Sequence, residues 1–347
     1  MHLYDIAGYH IRGLIQGIAA LGLDADAVLR DAQITRAALD DPETRFYELH
    51  MMQLWLAAEQ RWSGTEPFGL IIATRIPYGA LELIDYLIAA CANVCEGIET
   101  LVRYSGLCAS GFHYTVEPAS IDEGDAIRVR LHHRSGIEIV PPGVIDYVWT
   151  AMIWRFREHG DARFRPLLRL RHTPASHGEL YRELLGRVEF GCEHDEIYIP
   201  MDQWTIENSR RDPMLSRLLA RHADLVMERV GPRDDLLSAV RTAIADCMRL
   251  GDVSIERAAS RLGLTPRTLQ RRLADEGRIY KEVVDEVRFE FGCRYLTLTR
   301  LSLGEISDLL AYSEQRAFQR AFLRLSGGVT PGAYRQDHRV WPDLSKA

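Results

Sequence analysis

Ser254-Ile-Glu-Arg-Ala-Ala-Ser-Arg-Leu-Gly-Leu-Thr-Pro-Arg-Thr-Leu-Gln-Arg-Arg-Leu273 decides how the C-terminal third of this 347-residue chain folds. Ile255, Ala258, Ala259 and Leu262 recur at helical spacing and give a short helix one buried face. Gly263 then supplies a residue free to take positive φ at a turn. Leu264 enters the core, Thr265 caps the next helix, and Pro266 suits its first turn, where an amide hydrogen would have no partner. The order helix, turn, capped helix predicts a helix-turn-helix.

The second helix carries Arg267, Gln270 and Arg271, and the same triplet returns 49 positions later as Arg316, Gln319 and Arg320. Positions i, i+3 and i+4 share one helical face. The other face is apolar in both copies, through Leu269 and Leu273 in the first and Phe318, Phe322 and Leu325 in the second. Arg and Gln make bidentate contacts to guanine and adenine edges in the major groove, so the two exposed faces point to DNA. Thr268 and Gln315 join the triplets as candidate contacts. In the second copy Ser302 and Glu305 are spaced for a capping box, Ile306, Leu309 and Leu310 form the buried stripe, and Ala311-Tyr312-Ser313 makes the turn. Between the copies, Tyr280 to about Thr299 is a predicted helix with Val283, Val284, Val287, Phe291 and Leu296 for packing. About twenty residues at about 1.5 Å each span about 30 Å, near the groove repeat of about 34 to 36 Å.

These residues resemble the two-module DNA-binding domain of the AraC/XylS family of transcription regulators. The matching words are Thr265-Pro-Arg-Thr-Leu-Gln-Arg-Arg-Leu273, Val284-Asp-Glu-Val-Arg288, Leu310-Ala-Tyr-Ser-Glu-Gln-Arg-Ala-Phe-Gln-Arg-Ala-Phe322 and Thr330-Pro-Gly-Ala-Tyr-Arg335. Two departures stand out: Ala311 occupies a position where the family has Gly, and Gly327-Gly328 adds a residue. The resemblance implies a regulator that binds double-stranded promoter or operator DNA, with RNA polymerase and a second copy of the chain as further partners. An enzyme that borrowed such a domain, for example in DNA alkylation repair, is the alternative. That chemistry needs an activated cysteine, usually within a metal-binding cluster, and the sequence lacks one.

Charge divides the chain in the same place. From Gly231 onward 19 Lys and Arg face 16 Asp and Glu, whereas the remainder carries 23 against 33, within an overall charge of −7. The six cysteines, at 91, 95, 108, 192, 247 and 293, include no Cys-x-x-Cys and are expected to stay reduced. No long apolar run or leader-like segment is present, so a cytoplasmic protein without membrane contact is expected. Neither metal nor cofactor is expected, and no enzymatic activity.

Residues 1–205 read as an α+β effector domain, 206–235 as a helix and linker, and 236–338 as an all-α domain of two helix-turn-helix modules joined by a long helix. Helix-period residues run from Ile11 to Leu21, Phe46 to Trp62, Leu81 to Cys91 and Ile98 to Cys108. Alternation over 111–117 and 126–133 predicts strands joined by a turn-rich stretch from Pro118 to Asp125. An aromatic helix from Val144 to His159 and short strands at 167–171, 188–190 and 196–199 complete a small antiparallel sheet with helices on it. Leu81-Glu-Leu-Ile-Asp-Tyr-Leu-Ile88, Leu101-Val-Arg-Tyr104 and Glu189-Phe-Gly191 resemble the arabinose-binding-type effector domain of one branch of the family. The resemblance implies a small-molecule sensor and leaves the molecule open.

Candidate effector contacts are Tyr147, Trp149 and Trp154 on the aromatic helix, with Arg103 and Tyr104 orienting an anionic group. The same aromatics also serve as core packing. Gly106-Leu-Cys-Ala-Ser-Gly111 follows a helical segment, not a strand, and so lacks a nucleophile elbow. His132 and His133 point to opposite faces of a strand, and His172, His177 and His194 have no ligand spacing and suit surface or capping positions. Residues 212–230 form an amphipathic helix that either dimerises or covers its own domain.

Overall fold

The computed structural model describes residues 5–133, 140–159, 161–173, 177–208, 210–230 and 236–338. They fall into two units, 5–230 and 236–338.

The first unit begins with strand β1 (Asp5–Ala7) and helices α1 (Gly8–Ala20), α2 (Ala25–Asp31) and α3 (Arg36–Asp40). Strand β2 (Arg45–Tyr47) pairs antiparallel with β1 and leads into α4 (Glu48–Arg61) and α5 (Phe68–Ala73). Phe46, expected to open a helix, therefore lies in a strand, paired with Ile6. Helices α6 (Leu83–Ala90) and α7 (Val94–Cys108) follow, and the Asn93 side chain caps α7 by accepting from the Glu96 amide at 2.9 Å.

Strands β3 (Phe112–Ile121) and β4 (Gly124–His133) form a hairpin closed by Asp122-Glu123. The turn expected over Pro118–Asp125 is thus much shorter, and Pro118 pairs with Ile127 inside the ladder. Proline is tolerated there because β3 is an edge strand with a free side for the missing donor. After α8 (Pro142–His159) come β5 (Leu167–Leu170), α9 (Gly178–Leu185), β6 (Arg187–Phe190) and β7 (Glu196–Pro200), giving the sheet order β3-β4-β7-β5-β6. The sheet is mixed, not wholly antiparallel: β5 and β6 run parallel. A parallel pair needs a crossover of a dozen or more residues, and the segment containing α9 provides it.

Helix α8 sits between two apolar cores. Ile145, Trp149, Met152, Ile153 and Phe156 face the sheet, α6 and α7, whereas Tyr147 and Ala151 face the cluster of α1, α2, α4 and α5. Gly69 lets α5 approach α8, because a Cβ there would lie 1.9 Å from the Gly143 carbonyl oxygen. The short α10 (Met201–Trp204) precedes α11 (Pro213–Val230), which covers α6 and α7 of its own unit through Leu219, Ala223, Val226 and Met227. Its outer side keeps Met214, Leu218 and Leu225 exposed.

The second unit is helical: α12 (Leu236–Arg249), α13 (Ile255–Arg261), α14 (Pro266–Asp275), α15 (Tyr280–Leu298), α16 (Leu303–Leu309), α17 (Gln315–Leu325) and α18 (Pro331–His338). Ser254 caps α13, Thr265 caps α14, and Ser302 with Glu305 forms the capping box of α16. The 19-residue α15 packs on α12, α16, α17 and α18, with Val283, Val287, Phe291 and Leu296 buried. Buried Arg241 of α12 donates to Glu286 at 2.8 Å and Glu290 at 2.6 Å on α15.

The two helix pairs, α13 with α14 and α16 with α17, are unequal repeats. Their first caps, Ser254 and Ser302, are 48 residues apart, and their second, Thr265 and Glu314, are 49 apart. The turn of the second pair is therefore one residue longer. Gly263 and Ala311 both follow the first helix of their pair with positive φ, 65° and 56°.

Candidate nucleic-acid interface

Burial orients the two candidate helices. Leu269 and Leu273 on α14 and Phe318 and Phe322 on α17 are at most 1% exposed, which turns the opposite faces outward. Arg267, Gln270 and Arg271 are exposed on α14, and Gln315, Arg316 and Arg320 on α17. Gln319 and Thr268 are half-buried, and the Thr268 hydroxyl lies 2.8 Å from that of the cap Thr265.

Charge pairing distinguishes these arginines from most of the unit, Arg272 on α14 and Arg300 being likewise exposed without an acidic partner among the described residues. Arg241, Arg249, Arg257, Arg261, Arg278 and Arg324 are each engaged by a carboxylate. Arg288 and Arg335 donate to backbone carbonyls. Arg267, Arg271, Arg316 and Arg320 have no acidic partner among the described residues. An exposed guanidinium without an internal carboxylate keeps all its donors for an external acceptor.

The five candidate effector contacts are not gathered in one place. Arg103 pairs with Asp224 of α11 at 2.9 Å, and the Tyr104 hydroxyl donates to the same carboxylate at 2.8 Å. Burial, reinforced by the bond to Asp224, pushes Tyr104 up to about 12. Tyr147 and Trp149 lie on opposite sides of α8, both buried, with the Tyr147 hydroxyl 3.1 Å from His10 Nε2 and Trp149 edge-on to Tyr114. Trp154 is half-buried.

The histidines also differ from one another. His132 lies 2.9 Å from the Thr115 hydroxyl, whereas His133 reaches Glu48 at 3.1 Å, as expected for opposite faces. His172 is neither a surface nor a capping residue: its Nε2 is 3.1 Å from Asp146 Oδ1, among Tyr181 and Phe190. Burial works against its charge, but the Asp146 contact outweighs it and raises the imidazole above its ordinary value. Among the described residues no group of three His, Cys, Asp or Glu is arranged to hold a metal, and no helix is long and apolar enough to cross a membrane.

Polar residues buried around α8 were not singled out from the sequence. Asp146 is 3% exposed and accepts from Tyr181 at 2.6 Å; Arg155 on the same helix pairs with buried Asp85. Glu59 of α4 is pushed up to about 7 by burial and by Asp146. The available signal was an acid and a base inside the mostly apolar stretch 144–156, Asp146 and Arg155.

Residues 22–205 match the model of the arabinose-binding domain of AraC transcription regulator, N-terminal, and residues 258–337 match that of a helix-turn-helix domain. The ornithine utilization regulator of Pseudomonas aeruginosa is 26% identical over 336 residues, 94% of this chain and 95% of its own. The HTH-type transcriptional regulator VirS of Mycobacterium tuberculosis is 28% identical over 332 residues, covering 91% and 92%. The crystal structure of transcriptional regulator CdpR from Pseudomonas aeruginosa aligns over 94% of this chain and 98% of its own, at 20% identity and a TM-score of 0.43.

Proposed function

The chain belongs to the AraC family of transcription regulators, and from that premise we propose that α14 and α17 are the DNA-reading helices of two helix-turn-helix modules joined by α15. The observation that carries this reading is the set of exposed arginines without acidic partners on those two helices, in a unit whose other arginines are largely paired. Arg267, Thr268, Gln270 and Arg271 meet one major-groove segment, and Gln315, Arg316, Gln319 and Arg320 the next. Guanidinium and carboxamide groups supply the bidentate donors and acceptors that base edges require.

The N-terminal unit is the effector domain of a one-component, cytoplasmic regulator. An effector shifts the population of a DNA-competent arrangement only if it binds the two states with different affinity. RNA polymerase and a second copy of the chain are the protein partners in this reading. Of the expected effector contacts this reading keeps Tyr147, whose ring stands beside Trp55; Arg103 and Tyr104 tie α7 to α11 and Trp149 faces the other core, so these support the domain from separate positions. Gel-shift and footprinting on the DNA upstream of its own gene test the reading. Two protected groove segments are expected, one lost in an Arg267→Ala/Arg271→Ala protein and the other in Arg316→Ala/Arg320→Ala. Unchanged footprints in both variants overturn it.

A further inference from the structure

The first two turns of α8 and the facing side of α4 hold polar groups that the fold leaves unpaired. Trp55 and Glu59 are one turn apart on α4, and both reach Gly143: a Cβ on that glycine would lie 3.2 Å from Trp55 Nε1 and 3.3 Å from Glu59 Oε1. Trp55 is 1% exposed, yet its indole N–H has no acceptor among the described residues. Glu59 is half-buried, and its carboxylate makes no ion pair or hydrogen bond among the described residues. One turn further along α8, Asp146 is held by His172 and Tyr181 and adds its negative charge, and after another turn the fully buried Thr150 hydroxyl is unpaired.

Buried polar groups in native proteins nearly always find partners, so the unpaired indole N–H of Trp55, the unpaired Thr150 hydroxyl and the unpaired Glu59 carboxylate along one helix crossing call for an occupant. Aromatic rings surround the place. The Trp55 and Tyr147 ring centroids are 5.6 Å apart, and Phe68 stands 5.3 Å from Trp55 and 6.1 Å from Trp62. Two carboxylates repel an anion, and a neutral apolar guest would leave Glu59 and the indole N–H as they are. A cation offsets the carboxylates and is attracted by the ring faces.

We propose that Trp55, Glu59 and Asp146, together with the surrounding rings, bind a small organic cation of the alkylamine or guanidine type, the effector of this domain. The ammonium or guanidinium donates to Glu59, and an oxygen or second nitrogen on the guest accepts from Trp55 Nε1. Gly143 is the residue whose missing side chain keeps the two groups open to it. The proposal rests on the reading of this unit as an effector domain.

Calorimetry on the full chain with putrescine and agmatine, against 1,4-butanediol and succinate, tests it. Binding of at least one amine and of neither control is expected, with at least tenfold weaker binding in Glu59→Gln and in Gly143→Ala, whose added methyl fills the gap. Thermal melting establishes that each variant is folded; if one is not, the other decides. Absence of amine binding at millimolar concentration, or amine binding in the folded variants within twofold of the parent, overturns the proposal. Binding of succinate or the diol in place of the amines overturns the cation while leaving the effector reading standing. If no member of a chemically mixed library shifts the melting temperature, the effector reading fails too.

Discussion

Arg288 holds Ala311 in place: its guanidinium donates to the carbonyl oxygens of Leu310 and Ala311 and lies 4.1 Å over the Tyr312 ring. Ala311 has a φ of 56°, in the left-handed region that favours glycine. A charged donor from α15 thus closes the carbonyl end of α16 where the backbone is least comfortable. Replacing Ala311 by Gly is expected to stabilise the second unit by about 0.5 to 1 kcal/mol. Arg288→Ala should cost about 1.5 to 3 kcal/mol through the lost charged hydrogen bonds. Urea unfolding of both variants checks the two signs.

Base reading should divide between the modules. Arg267→Ala or Arg271→Ala is expected to weaken specific binding by about 1 to 3 kcal/mol and to relax sequence preference in one half of the site only. Arg316→Ala or Arg320→Ala should do the same in the other half. Binding measured on a set of operators mutated one base at a time separates this from phosphate contact, which would lower every affinity alike.

Arg241 is expected to be more valuable to stability than any exposed arginine. Arg241→Leu removes the buried cation shared by Glu286 and Glu290, leaving Glu286 only its second partner Arg278, a loss of about 3 kcal/mol. Adding Glu286→Gln and Glu290→Gln to that variant should recover part of the loss. An additive, worse outcome in the triple variant would refute the assignment.

The N-terminal unit should lose stability between acid and mildly alkaline pH. Glu59 has an ordinary value of 4.5 and a folded value of about 7, so the unfolded chain ionises first. Well below 4.5 both states are protonated and nothing is lost; through the interval up to 7 stability falls, by roughly 3 kcal/mol. His172, raised in the fold, acts in the same direction, since its contribution is complete below the unfolded value and disappears as pH rises through the folded one. Glu59→Gln should therefore melt higher than the parent at pH 8 and alike at pH 4. Equal melting temperatures at pH 8 would falsify this account.

What the sequence disclosed was local. Thr265, Pro266, Gly263 and the Ser302 to Glu305 box act within four residues of their own backbone, and each lies where spacing put it. The apolar stripes of α14, α15 and α17 were legible for the same reason. Arg103 and Asp224 are 121 residues apart and Arg155 and Asp85 are 70 apart, so no periodicity joins them. Strand β6 was expected at 188–190, but its parallel direction was hidden because a four-residue alternation carries no direction. His172 looked superficial because only the fold brings Asp146 beneath it.

Helix α8 has a consequence for how the first unit comes apart. Its two sides are the inner walls of both cores, so the sheet cannot melt and leave the helical cluster standing, or the reverse. Whatever loosens one side withdraws a wall from the other. The unit is expected to unfold as one, and a truncation at either border of α8 is expected to yield no independently folding fragment, only two halves each lacking the same surface.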